Sequence, residues 1–404
     1  MVDSRPLIFE GLKVIDAGSW VAGPVSATML ADYGADVIKV EMPTGDPFRR
    51  LARGPGTPDA DIDYGWAQDA RNKRSLALNL KTPEGIEILS RLVTDCDVYV
   101  TNYPLPMRRK LGLTYEDLKP LNERLIYASL TAYGEHGPEK DREGFDLVAY
   151  WSRSGLMDLV RTENAKPAPS IPGMGDHPTG VSLYAAIVTA LFQRERTGHG
   201  SMVHTSLIAN GMWAASNIAA AKFAHGNDFS NYPRLTAAYF TRELYQTRDK
   251  RWLQFTMVRT DEEMRSYFQI LGATHLLDDP RFQTTRSRIE SGSALANEIR
   301  PIIAQRNASD WISEFKAANV PVSMLGTIDD LPSDPQLVPN AILREPDEPI
   351  GADYIINHPV NVEASKRAPV KRAPDVGEHS TEILAEIGYQ SDDINRFRDE
   401  GVIT

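Results

Sequence analysis

The sequence predicts an α/β fold with a parallel β-sheet, together with a second, smaller α+β domain. Through the first half of the chain, short apolar runs alternate with amphipathic helical segments, which is typical of a parallel sheet covered by helices. Between about residues 227 and 325 the pattern changes to a hairpin and several short polar helices. The length of 404 residues also favours two domains, because it exceeds what one hydrophobic core usually supports.

The elements of the first domain follow from hydrophobic periodicity and from glycine and proline positions. Apolar runs predict strands at 12–16, 36–40, 75–80, 97–101, 125–130 and 202–206, and helical spacing predicts helices at 22–33, 83–94, 181–197 and 207–224. Gly34 ends the first helix, and Pro83 begins the second, since the first turn of a helix tolerates proline. The stretch 161–176 is predicted to be irregular.

The rest of the chain is predicted to contain a hairpin at 237–246 and 251–257, an irregular proline-rich tail at 331–375 and a final helical segment. Trp213 is assigned to helix packing. Cys96 is interpreted as a small buried residue and not as a nucleophile.

Composition excludes several classes of protein. The net charge of −11 argues against non-specific nucleic-acid binding. Apolar runs stay below the roughly 18 residues that a membrane span needs, and the first residues lack the apolar core of a signal peptide, so we expect no membrane partner and a cytoplasmic location. One cysteine and eight scattered histidines offer no metal-ligand spacing, so no metal site and no permanently bound cofactor are expected.

Positive charges recur in the loops that follow the predicted strands. They are Arg49, Arg50 and Arg53, then Lys73, Arg74 and Lys81, then the run 108–110, and finally Lys140 and Arg142. Loops after the carboxyl ends of parallel strands share one edge of the sheet, where ligands bind. Any one of these residues alone is better explained as ordinary solvated surface, but their recurrence at the same topological position predicts a site for a multiply phosphorylated ligand.

Asp176 precedes the predicted 181–197 helix and lies between two glycine-bearing turns. One interpretation is an N-cap aspartate. The other is a reactive carboxylate, which a helix N-terminus helps to keep ionised. Spacing leaves both open, and the common alternatives fail: G-x-S-x-G, Walker A and H-E-x-x-H motifs are absent, and the glycines at 18 and 23 lack the dinucleotide-binding spacing.

Several motifs are together specific to one family. They are LKVIDAGSWVAGP at 12–24, LADYGADVIKVE at 30–41, GD at 45–46, NKRSLALNLK at 72–81, PEG at 83–85, VTNY at 100–103, GD at 175–176, TG at 179–180, RERTGHG at 194–200 and GEHSTEIL at 377–384. With them the sequence resembles the class III CoA-transferases, the CaiB/BaiF family that includes formyl-CoA transferase. The similarity runs over nearly the whole chain and is weakest between about 225 and 330.

The resemblance implies an α/β fold with a large open Rossmann-like domain formed by both chain ends, a smaller α+β domain, and an interlocked homodimer. The implied boundaries are 1–225 for the first part of the large domain, 226–330 for the small domain and 331–404 for the segment that completes the large one. The implied activity is acyl-CoA transfer between carboxylic acids, with coenzyme A or acyl-CoA as a substrate.

The resemblance also assigns site residues. Asp176 falls on the catalytic aspartate, which attacks the thioester to give a mixed anhydride and then an aspartyl-CoA thioester. Since free aspartate has a pKa of about 3.9, Asp176 is expected to be ionised without help. CoA-contacting positions are Ser19, Val21, Ala22, Leu78, Lys81, Asn102, Tyr103, Lys110 and Arg142, and the acyl pocket is expected to include Trp20, Phe145 and His177.

Departures from the family pattern bear on the reaction. The α-methylacyl-CoA racemases of this family use a histidine where this chain has Phe145, which favours transfer over racemisation. Intramolecular CoA transfer and a non-catalytic CoA-binding protein remain as alternatives. The region 255–259 lacks the glycine-rich loop of formyl-CoA transferase, so another element is expected to shield the anhydride.

Overall fold

The computed structural model describes residues 5–53, 57–161, 165–225, 240–256, 258 and 260–404. The chain divides into two compact units. The first comprises Met1–Leu156, Pro169–Phe223 and Gln336–Thr404, and the second comprises Met157–Ala168 and Ala224–Pro335.

A six-stranded parallel sheet forms the centre of the first unit. Its strands are β1 (Lys13–Asp16), β2 (Asp36–Glu41), β3 (Arg74–Ala77), β4 (Val98–Thr101), β5 (Ile126–Thr131) and β6 (Ser201–Ser206), in the order β3-β2-β1-β4-β5-β6. All five strand pairs are parallel, so the predicted parallel sheet is confirmed. The order reverses between β1 and β4, and in such sheets ligands bind outside the carboxyl ends of the strands at that point.

The helices of the first half of the chain follow the predicted alternation. They are α1 (Ala22–Ala31), α2 (Tyr64–Asp69), α3 (Pro83–Thr94), α4 (Leu105–Leu111), α5 (Tyr115–Leu118), α6 (Leu156–Leu159), α7 (Asp176–Thr197), α8 (Leu207–Ala214) and α9 (Ser216–His225). A π-helical turn covers Leu147–Ser152. Every residue of α1 is buried, and this helix packs against α7. Gly180 permits that approach, because a Cβ there would lie 2.9 Å from the carbonyl oxygen of Ala22.

Three sequence-based expectations about these helices are wrong. Helix α7 begins at Asp176 instead of residue 181. It can include Pro178 because this residue lies in the first turn, where backbone N–H groups have no partner within the helix. The predicted 207–224 helix is two helices separated at Ala215. Trp213 is 79% exposed, so the described residues cover little of it.

The second unit contains an antiparallel sheet and a separate aromatic core. Strands β7 (Leu244–Gln246), β8 (Trp252–Phe255) and β9 (Val322–Met324) pair in that order, and the helices are α10 (Asp261–Ile270), α11 (Thr285–Glu290), α12 (Gly292–Ile303) and α13 (Ala308–Ala317). Tyr267 and Phe315 lie in the centre of the core and both contact the ring of Phe255. The β7–β8 pair corresponds to part of the predicted hairpin, while positions 237–239 and 257 of that prediction lie outside the described residues.

The C-terminal segment returns to the large sheet. It carries β10 (Leu343–Arg344), β11 (Ile355–Ile356), α14 (Ser380–Glu386) and α15 (Ser391–Asp399). Ile403 forms a backbone bridge with Leu78, and the backbone N–H of Asn79 donates to the carbonyl of Val402. The end of the chain therefore packs beside the loop that follows β3. Of the helices within the described ranges, none combines the length and the apolar character that crossing a bilayer requires.

Candidate active site

A cavity of about 230 Å³ lies beside the carboxyl ends of β1, β4 and β5, where the strand order reverses. Its walls combine apolar rings with a few polar groups. They comprise Ser19, Trp20, Ala22, Asn102, Tyr103, Pro104, Leu105, Leu130, Thr131, Ala132, Lys140, Arg142, Glu143, Gly144, Phe145, Asp176 and Leu207. Eight of the sequence-predicted site residues are thus brought together here. They are Ser19, Trp20, Ala22, Asn102, Tyr103, Arg142, Phe145 and Asp176.

The loop after β1 is fixed by side chains from two other loops. The amide of Asn102 makes reciprocal bonds with the Ser19 backbone, accepting from its N–H and donating to its carbonyl, both at 2.7 Å. The Asp46 carboxylate accepts from the Trp20 N–H at 3.2 Å and from the Ser19 hydroxyl at 3.3 Å. These bonds hold the backbone of Trp20 at a φ of 64°, a left-handed conformation that residues other than glycine rarely adopt.

Buried charges lie directly beneath this loop. The ammonium of Lys39 is 2.9 Å from Asp46 and also donates to the Gly18 carbonyl, while Lys73 is 2.8 Å from Asp16. Burial acts to lower the pKa of Lys39, but the surrounding carboxylates, with Asp16 foremost, raise it, so it stays charged. The β1 loop therefore rests on an ionic network that is almost free of solvent and leaves it little freedom to move.

Asp176 is the first residue of α7, and its carboxylate is half-buried in the cavity wall. Gly175 occupies the N-cap position, so the N-cap interpretation of Asp176 is wrong. The N–H groups of Asp176 and His177 donate to the Gly173 carbonyl. Among the described residues, no group donates a hydrogen bond to the Asp176 carboxylate or forms an ion pair with it. The carboxylate is therefore open to a ligand in the cavity.

The turn before Asp176 is held by Asp146. One oxygen of this buried carboxylate accepts from the N–H of Gly173 at 2.9 Å and from the N–H of Gly175 at 3.1 Å. Tyr150, in the π-helical turn, packs on the same place, because a Cβ at Gly175 would lie only 2.6 Å from its ring. The segment that starts at Phe145 thus positions Asp176 from two sides.

The aromatic rings of Phe145 and Trp20 contact each other and form part of the cavity wall. Their centroids are 5.6 Å apart and their planes are nearly perpendicular, which is a favourable edge-to-face arrangement. Phe145 is nevertheless 59% exposed, and it faces the cavity with most of its ring uncovered.

Comparison with known proteins identifies the family. The profile described as CoA-transferase family III matches residues 9–380. The chain belongs to this family of CoA-transferases. The (R)-2-hydroxy-4-methylpentanoate CoA-transferase of Clostridioides difficile is 29% identical, over 98% of this chain and 100% of its own. The succinyl-CoA:glutarate CoA-transferase of Homo sapiens is also 29% identical, over 100% of this chain and 91% of its own.

A solved structure supports the same assignment. A CaiB/BaiF family protein from Brucella suis superposes with a TM-score of 0.83 at 29% identity, over 95% of this chain and 100% of its own. The enzyme class that the sequence predicted, a CoA-transferase, is therefore confirmed.

The nucleophile expected for this transferase is less acidic than a free aspartate. Burial, and then the nearby Asp146 carboxylate, raise the pKa of Asp176 to about 7. The environment of Asp176 thus opposes the ionisation that the sequence alone led us to expect of a free aspartate. The cause lies in Asp146 and in the cavity wall, which sequence spacing does not reveal.

His177 lies outside the cavity. Its ring is 3.2 Å from an Asp69 oxygen and 3.1 Å from the Gly173 carbonyl. Although burial opposes the effect, the hydrogen bond with Asp69 raises the pKa of His177 to about 9, so the ring is cationic at neutral pH. This positive charge lowers the pKa of the adjacent Asp176 and partly offsets the influence of Asp146.

The predicted cationic loops do not all reach the cavity. Four of these cations form ion pairs with carboxylates of the chain: Arg49 with Glu41, Lys73 with Asp16, Arg74 with Asp36, and Arg108 with Glu135. Lys140 and Arg142 are the cations that line the cavity within the described part of the chain. Arg142 is 2.6 Å from Glu139, whereas Lys140 has no ion-pair partner among the described residues. The side chain of Arg53 lies outside the described residues.

Five predicted site residues lie elsewhere than in the cavity wall: Val21, Leu78, Lys81, Lys110 and His177. The side chains of Val21 and Leu78 are buried, so these residues could contact CoA only through their backbones, while Lys81 and Lys110 are exposed. Their roles in CoA binding stay predictions. Of the region 255–259, residues 257 and 259 lie outside the described residues.

Sequence reasoning missed the supporting carboxylates Asp46 and Asp146, and also Glu143, which lines the cavity. Asp46 belongs to a family motif, but nothing local in the sequence shows that Asp146 bonds to a turn 27 residues away. Within the described ranges, no group of three His, Cys, Asp or Glu side chains is arranged to hold a metal ion.

Proposed function

We propose that this transferase moves CoA between two carboxylic acids through covalent intermediates on Asp176. The observation that carries the proposal is the Asp176 carboxylate, which faces a cavity at the sheet's switch point and has no bonding partner among the described residues. Family membership supplies the reaction class.

The reaction proceeds by paired exchanges at carbonyl carbons. A carboxylate oxygen of Asp176 attacks the thioester carbonyl of the donor, and the C–S bond breaks to release CoA thiolate and leave a mixed anhydride. The thiolate then attacks the aspartyl carbonyl and expels the donor as a free carboxylate. The acceptor carboxylate attacks the resulting aspartyl-CoA thioester, and the same two steps in reverse give the new acyl-CoA and restore Asp176.

A pKa of about 7 suits this nucleophile. Enough of the carboxylate is ionised at neutral pH to react, and a more basic oxygen is a better nucleophile than that of an ordinary aspartate. The turn held by Asp146 and the packing of Tyr150 keep the carboxylate in place during four successive attacks, which is where a fixed geometry contributes most.

CoA enters with its thioester toward Asp176. Ser19, Ala22, Asn102 and Tyr103 provide the wall along which the pantetheine part lies, and Lys140 neutralises a phosphate. Val21, Leu78, Lys81 and Lys110 are assigned to the nucleotide end, outside the cavity. The acids named for the relatives include a branched hydroxy acid and dicarboxylates at the same identity, so identity alone does not select a substrate class.

The functional unit is a homodimer of interlocked chains. Support comes from large aromatic side chains on the surface of one chain, since Trp213 on α8 is 79% exposed and Phe192 on α7 is 63% exposed. Aromatic residues are enriched at interfaces between protein chains.

Trapping the intermediate tests the mechanism. Hydroxylamine added during turnover converts an aspartyl-CoA thioester into a hydroxamate, which peptide mass spectrometry assigns to Asp176. Asp176→Asn and Asp176→Ala should reduce exchange at least about a thousandfold and leave the affinity for CoA unchanged in calorimetry. Substantial residual exchange in Asp176→Ala would sink the mechanism.

A racemase-type reaction is tested in parallel. It requires bases on both faces of the α-carbon, and no imidazole lines the cavity among the described residues. A 2-methylacyl-CoA incubated with the enzyme in deuterium oxide is expected to retain its α-proton.

A further inference from the structure

The cavity wall combines charged groups with apolar side chains. Lys140, Arg142, Glu143 and Phe145 come from one loop, whereas Trp20 follows β1 and Leu207 begins α8. A ligand in the cavity therefore meets both charged groups and aromatic rings.

The cations of the cavity are few and partly neutralised. Arg142 pairs with Glu139 at 2.6 Å and also lies over the ring of Tyr133. Lys140 is left to meet the anionic phosphates of CoA. Glu143 and Asp176 add two carboxylates to the same wall. With CoA bound, a second carboxylate on the acyl group would meet the negative charges of Glu143 and Asp176, and like charges placed close together repel. Arg142, the remaining cation of the wall among the described residues, is already paired with Glu139.

The apolar wall is preorganised to accept an acyl side chain. Bonds to Asp46 hold the Trp20 backbone at its left-handed φ, and the edge-to-face contact holds Phe145 against Trp20. The exposed ring of Phe145 is free surface that a bound apolar group would remove from water.

We propose that the acid exchanged on Asp176 carries one carboxylate and an apolar side chain, aryl or branched alkyl, that packs against Trp20 and Phe145. The inference rests on the proposed function, because it takes Asp176 as the point at which the acyl carbon reacts.

Degenerate exchange tests the substrate class without knowledge of the second acid. Each CoA thioester is incubated with its own isotopically labelled free acid, and transfer of label into the thioester is measured. The matched pair is 4-methylpentanoyl-CoA and succinyl-CoA, because the distal isopropyl group and the distal carboxylate have nearly the same shape. The expected ratio of kcat/KM is at least about 100-fold in favour of 4-methylpentanoyl-CoA.

Two variants separate the wall from the charges. Phe145→Ala should lower kcat/KM for 4-methylpentanoyl-CoA about tenfold, largely through KM, while Phe145→Leu should keep most of it, because leucine restores apolar contact. Glu143→Gln should raise exchange of succinyl-CoA relative to 4-methylpentanoyl-CoA, because it removes a negative charge from the cavity wall.

The outcomes distinguish this inference from the mechanism. Succinyl-CoA exchanged as well as, or better than, 4-methylpentanoyl-CoA overturns the substrate class. If succinyl-CoA is the thioester exchanged and a hydroxamate still forms at Asp176, the substrate class is overturned while the covalent mechanism stands. A preference for the branched acid that persists in Asp176→Ala would instead support the apolar wall and overturn the mechanism.

Discussion

Replacing Asp146 with asparagine should shift the pH dependence of catalysis to lower pH. The asparagine oxygen can still accept from the N–H groups of Gly173 and Gly175, so the turn that precedes Asp176 is kept. The negative charge is removed, and it is the second cause of the raised pKa of Asp176, after burial. Since the nucleophile must be ionised, lowering its pKa makes more of the enzyme reactive in mild acid.

The structure bounds the size of this effect. The pKa of Asp176 rises from 3.8 to about 7, and burial, the largest cause, persists in the variant. Removing the smaller cause should lower the pKa by roughly one unit. At pH 6 the ionised fraction then rises from about one tenth to about one half, so kcat/KM should increase by up to about fivefold. At pH 8, where both forms of the enzyme are mostly ionised, kcat/KM should fall slightly, because a less basic carboxylate is a weaker nucleophile.

The assay is kcat/KM for degenerate exchange between pH 5 and 9, which reports the ionisation of the free enzyme. Asp146→Ala is the matched control. It removes both the charge and the hydrogen-bond acceptor, so it should lower activity at every pH because the turn loses its anchor. An Asp146→Asn profile with the wild-type midpoint would refute the assigned electrostatic role of Asp146.

Two further predictions concern packing and assembly. Gly175→Ala should reduce exchange about 10- to 100-fold and stability by roughly 1–3 kcal/mol, measured by kcat and chemical denaturation, because its Cβ would lie 2.6 Å from the Tyr150 ring. Gly326→Ala, where no atom lies within 4 Å of the added Cβ, should change neither, and equal losses in both variants would contradict the packing argument. Sedimentation velocity should find a two-chain species that persists on dilution, because interlocked chains separate only on unfolding; a monomer would disprove the dimer.

Much of the fold is predictable because each strand carries its own signal. The strands β1, β2 and β4 are largely buried, so they appear as short, mainly apolar runs, although Lys39 interrupts the run of β2. Their parallel pairing follows from the helices between them. The start of α7 was predicted five residues too late for a local reason. Pro178 and Gly180 are typical of irregular chain, yet Pro178 lies in the first turn and Gly180 is required for contact with α1.

The site is less predictable because its properties depend on residues far apart in sequence. Lys73 was expected to face a ligand, but it forms an ion pair with Asp16, 57 residues earlier. Arg108 is likewise paired with Glu135, 27 residues later. Composition shows how many cations a chain has, whereas only the fold shows which carboxylates neutralise them.

Substrate recognition and nucleophile positioning meet in two adjacent residues. Phe145 contributes a ring to the cavity, and the next residue, Asp146, holds the turn that carries Asp176. An acyl side chain that packs on Phe145 therefore presses on the segment that orients the nucleophile. Binding energy from the apolar group can then appear in kcat as well as in KM, because remote contacts contribute to catalysis when they fix the reacting groups. On this reasoning a short acyl-CoA such as acetyl-CoA, which does not reach the ring, should lose turnover and not only affinity, whereas a pocket independent of Asp146 would change KM alone.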